Sequence, residues 1–89
     1  MQFDEVLAAY RRLLEANPGK CLYIGSDMVA LIQDGHLVGA HLDGLGRPEV
    51  DNTFDFDACA FDAERGCWDC DNGPSETASH INSPRLADL

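Results

Sequence analysis

The sequence predicts an α+β fold: an N-terminal helix packed on a small, mainly antiparallel β-sheet of about four to five strands. Three observations carry that expectation. Apolar residues recur at spacings of three and four from Phe3 to Leu14. Two β-rich runs then flank Asp34-Gly35, a pair suited to the positive φ angles of a tight hairpin turn. Farther on, Phe54–Phe61 alternates apolar and polar residues with the period of a half-buried strand. At 89 residues the chain suits a single domain, 1–89, with one modest core.

The helix is expected over about 3–16. Phe3, Val6, Leu7, Tyr10, Leu13 and Leu14 share one face, and Asp4 and Glu5 complement the helix dipole in the first turn. Asn17-Pro18-Gly19 ends it, because proline disfavours helical geometry in the residue before it. Residues 20–70 read as β-rich. Lys20–Ile24 forms a first strand, and Met28–Gln33 and His36–Leu42 form a hairpin. A two-residue turn pairs Gln33 with His36, Leu31 with Val38 and Val29 with Ala40 on one face. Ile32 with Leu37, Ala30 with Gly39 and Met28 with His41 lie on the other. Both faces are largely apolar, so the hairpin is expected to be central in the sheet, with the helix over one side. Phe54–Phe61 supplies a strand with an acidic outer face, and Cys67–Cys70 its return strand after a turn at Asp62–Gly66. Residues 71–89 lack a period and read as an irregular polar tail.

Charge is distributed unevenly. Ten acids lie between Asp43 and Glu76 against Arg47 and Arg65, a local balance of −10 + 2 = −8 within a whole-chain charge of −10. Direct nucleic-acid binding needs a basic patch, which this chain lacks. No apolar run approaches the ~18 residues of a membrane span. Acids stand at Asp4 and Glu5, where a secretory leader carries bases. The expectation is a cytoplasmic protein with no membrane partner, whose cysteines are thiols or metal ligands rather than disulfides.

Three classes of function follow. The first is a non-enzymatic acidic module that binds a protein with a basic surface, and it needs no cofactor. Its candidate contacts are Asp51, Asp55, Asp57, Asp62, Glu64, Trp68, Asp69 and Asp71, with a merely solvated acidic face as the plain alternative. In size and acidity, though not in any motif, the chain is similar to small acidic inhibitors made by phages and mobile elements. That similarity implies an anti-defence role, in which the chain mimics nucleic acid and occupies the basic groove of a host nuclease.

The second class is a zinc-stabilised adaptor. Cys67-x-x-Cys70 has knuckle spacing, Cys59 lies eight residues earlier and His80 ten residues later, and three thiolates with one imidazole complete a tetrahedral set. Asp71 stands where knuckles place a small residue, and a second Cys-x-x-Cys pair is missing. The third class is a small thiol-dependent enzyme, for which the sequence offers cysteines and histidines but no oxyanion hole or orienting third group.

Overall fold

The computed structural model of the protein describes residues 2–69 and 76–89. It is an α+β fold in which helix α1 (Phe3–Ala16) packs on a four-stranded antiparallel sheet. The strands are β1 (Lys20–Tyr23), β2 (Met28–Gln33), β3 (His36–His41) and, after two short strands, β6 (Leu86–Asp88), in the order β3-β2-β1-β6. The short strands β4 (Phe61–Asp62) and β5 (Cys67–Trp68) form a separate hairpin, and α2 spans Glu76–Asn82.

Helix α1 starts as its composition dictates. The Glu5 carboxylate accepts the Gln2 N–H at 3.1 Å, satisfying one of the donors that a helix start leaves unpaired. At the other end the Asn17 amide donates to the Leu13 carbonyl at 2.7 Å, and Gly19 takes a positive φ of 79°. Val6, Tyr10 and Leu14 are buried against Leu22, Ile24 and Ala30 of the sheet.

The hairpin has the expected register throughout, from Gln33↔His36 to Met28↔His41. Its turn takes positive φ at both central residues, 53° at Asp34 and 80° at Gly35. Both faces are indeed buried. Ala30, Ile32 and Leu37 join the helix-side core, while Val29, Leu31, Val38 and Ala40 form a second cluster with Cys21.

On the face of the second cluster, the loop after β3 is tied to β2. Gln33, on that face, donates its amide to the Val50 carbonyl at 2.8 Å and accepts the Thr53 hydroxyl at 3.1 Å. Asp43, Arg47, Pro48 and Val50 share a cavity with Asp88 and Leu89 at the opposite edge of the sheet.

Three expectations are corrected. The hairpin is not wholly central, because β3 ends the sheet. Its outer edge is closed by isolated bridges from Gly39 to Phe54 and from Leu42 to Pro48, which shield what would otherwise be an open pairing edge. Phe54–Phe61 is not a strand. Phe54 exchanges one pair of backbone hydrogen bonds with Gly39, at 2.8 and 2.9 Å, and the chain then leaves the edge. The Asp57 carboxylate caps a 3-10 turn at Ala58–Ala60 by accepting the Cys59 N–H at 2.8 Å, and only Phe61–Asp62 pairs as β4. Within the expected irregular tail, residues 76–89 carry α2 and β6. Ile81 and Leu86 pack on the helix-side core, and β6 pairs with β1 from Lys20↔Asp88 to Leu22↔Leu86.

Candidate functional site

The chain rounds the edge of β3 at Phe54 and lays an aromatic floor on the helix side of the sheet. The Phe54 ring lies over Gly39, where an ideal Cβ would come within 2.5 Å of the ring edge, so only glycine leaves room for it. Phe54 meets His41 at 5.1 Å between centroids and Phe56 edge-on at 6.3 Å.

Phe56 lies 5.1 Å from Trp68, which packs edge-on against Phe61 at 4.9 Å and Phe3 at 5.8 Å. The indole N–H of Trp68 donates to the buried Tyr10 hydroxyl at 3.2 Å. That hydrogen bond and the flanking rings fix the orientation of the indole. Burial pushes the Tyr10 hydroxyl up to about 12, against the weaker opposing effect of its hydrogen bond to Trp68, so the phenol stays neutral.

Two adjoining cavities of about 440 and 160 Å³ open beside this floor, and Met28, His41, Trp68 and Asp69 line both. Asp27 and Glu76 add carboxylates to the larger chamber, and Asp55 and Asp57 to the smaller. No lysine or arginine lines either chamber among the described residues. The segment 70–75, Cys-Asp-Asn-Gly-Pro-Ser, holds no base in its sequence. The cleft is therefore a half-apolar recess with a negative rim.

The expected contact residues divide. Asp55, Asp57, Trp68 and Asp69 converge on the smaller chamber. Asp62 and Glu64 flank a separate shallow recess that shares Ala60 and Asp69 with that chamber. Asp62 is occupied structurally: its carboxylate accepts the Glu64 and Arg65 N–H groups at 3.0 and 3.1 Å and lies 3.8 Å from the Arg65 guanidinium. Asp51 is exposed on the loop before the edge crossing, and Asp71 lies outside the described residues. Asp55, Asp57, Glu64 and Asp69 are also exposed. Asp27, Met28, His41 and Glu76 were not expected at the site. The Met28↔His41 register placed two of them at one end of the hairpin, but nothing local brought that end to Trp68.

The zinc set is not brought together among the described residues, where no group of three His, Cys, Asp or Glu side chains is arranged to hold a metal. Cys67 is buried and disulfide-bonded, so it offers no thiolate until reduced, contrary to the expected free thiols or metal ligands. Cys59 is an exposed free thiol, Cys21 a buried one, and Cys70 lies outside the described residues. Burial is the main cause that raises the pKa of Cys21. His80 lies with Nε2 3.6 Å from Glu76, and its buried Nδ1 has no hydrogen-bond partner among the described residues. No family model, curated protein or solved structure matches the chain.

Proposed function

We propose that this protein is a non-enzymatic acidic interaction module that binds a basic surface of a partner protein, such as a surface that otherwise holds nucleic acid. One observation carries the reading. Between Asp51 and Asp69 there are six carboxylates and one base, Arg65, which sits beside the half-buried Asp62. The other five, Asp51, Asp55, Asp57, Glu64 and Asp69, are left exposed. Like charges held this close repel one another and cost stability, a cost that a cationic partner offsets. In this reading the chain inhibits by occupying a groove built for phosphates, the role implied by its similarity to acidic phage inhibitors.

The test uses a synthetic arginine-rich peptide as the basic surface and follows its association rate across a salt series. The rate should fall steeply with salt, since steering fades beyond a Debye length of ~8 Å at physiological ionic strength. Asp55→Asn together with Asp57→Asn should slow association while leaving the fold intact. Asp55 and Asp57 are exposed, and asparagine keeps the oxygen that caps Cys59. Equal rates for parent and double variant at every salt concentration would reduce the acidic face to a solvated surface.

A further inference from the structure

We infer that the cleft between the β1–β2 connection, the end of β3 and Trp68 is a receptor for one arginine side chain of a basic partner segment. The inference rests on the acidic-face reading and names the anchor within it. Three features point to this occupant. The floor is aromatic, and a planar guanidinium stacks on aromatic faces while keeping its charge. Tryptophan is the best residue type for this, Trp68 lines both chambers, and its ring is already immobilised by Tyr10, Phe56 and Phe61, so little order is lost on binding.

The rim is the second feature. Asp55, Asp57 and Asp69 stand around the smaller chamber, with Asp27 and Glu76 around the larger. Among the described residues the Asp55 and Asp69 carboxylates accept no hydrogen bond of the kind that occupies Asp57 and Asp62, and both residues are exposed at the mouth. Their charge complements a cation that reaches the indole. Size is the third feature. At about 160 Å³ the smaller chamber falls below the roughly 300–1,000 Å³ of small-molecule pockets and suits a single side chain. The adjoining chamber of about 440 Å³ leaves space for the backbone that carries it.

The chain has a single tryptophan, so its indole N–H is an unambiguous reporter of the cleft. Nuclear magnetic resonance titrations with N-acetylarginine amide, and with its uncharged isostere N-acetylcitrulline amide, test the assignment directly. Arginine should move the Trp68 indole resonance saturably and citrulline should not. Asp55→Asn with Asp69→Asn should weaken arginine binding about three- to tenfold, the effect of losing two exposed charge partners. Asparagine tolerates the positive φ of 44° at Asp69, so the variant keeps its backbone.

An equal response to citrulline, an unaltered affinity in the variant, or a Trp68 response to calcium chloride but not to arginine would each overturn the inference. If the arginine-rich peptide bound with steep salt dependence while the Trp68 resonance stayed still, the cleft assignment would fall and the acidic-face reading would stand. If neither the peptide nor the amino-acid amide bound, both would fall.

Discussion

Gly39→Ala offers the sharpest test of how the site is built. Gly39 lies in β3 opposite Ala30, and a Cβ there would sit 2.5 and 2.6 Å from two edge carbons of the Phe54 ring. Ordinary carbon contact is ~3.5–4.0 Å, so the ring must retreat by about 1–1.5 Å. Overpacking of this kind costs about 1–3 kcal/mol. Alanine returns about 0.5–1 kcal/mol over glycine in a strand interior. The net expectation is a loss of about 1 kcal/mol, or roughly 4–8 °C in Tm for a domain of this size. The same substitution in a Phe54→Ala background meets no ring, so there it should stabilise by about 0.5–1 kcal/mol. Urea denaturation of the four chains closes the cycle and isolates the coupling between the two positions. If Gly39→Ala destabilised both backgrounds equally, the glycine would serve the strand backbone rather than the ring. The account of the aromatic floor would then be wrong.

Other outcomes follow from the same structure. Gly35→Val should cost more than ~1 kcal/mol in urea denaturation, because a β-branched residue resists the φ of 80° at the turn; an unchanged midpoint would remove the tight turn from the argument. Burial holds the His80 imidazole below its ordinary pKa, with Glu76 pulling weakly the other way. The unfolded chain therefore binds a proton that the folded chain resists, and this share of stability, complete above about pH 6.5, is lost as pH falls below it. The drop in Tm from about pH 7.5 to about pH 5.5 should be smaller in His80→Gln than in the parent, and an identical drop would sink that assignment. Alkylation without reductant should label Cys59 in the folded chain and Cys21 only after unfolding; labelling of Cys67 under those conditions would contradict its bridge.

Local patterns sufficed for the helix and the hairpin. The apolar stripe of Phe3–Leu14 and the stop at Asn17-Pro18-Gly19 are short-range signals, and α1 occupies Phe3–Ala16 as they require. The register of β2 and β3 follows from the two residues of their turn, since any slip by one position would exchange the two faces. The exposure of Asp55 and Asp57 and the partial burial of Phe54 and Phe56 also follow from alternation, even though no strand forms there.

What alternation could not decide was the pairing partner. A period of two states which side chains face inward, but whether a segment joins a ladder depends on which edge is free and on what the following residues prefer. At this edge Phe54 bridges once over Gly39, and the carboxylate of Asp57 then draws the backbone into a 3-10 turn. Strand β6 is three residues long, too short to carry a period, and exists because the far edge of β1 accepts it. The cleft belongs wholly to this tertiary level. Met28, His41, Phe54, Trp68 and Glu76 meet only because the chain rounds β3 and because Thr77 docks α2 on the β4–β5 turn through the Gly66 carbonyl. The acidic residues were written in the sequence; the aromatic recess that gathers five of them around one indole was made by packing.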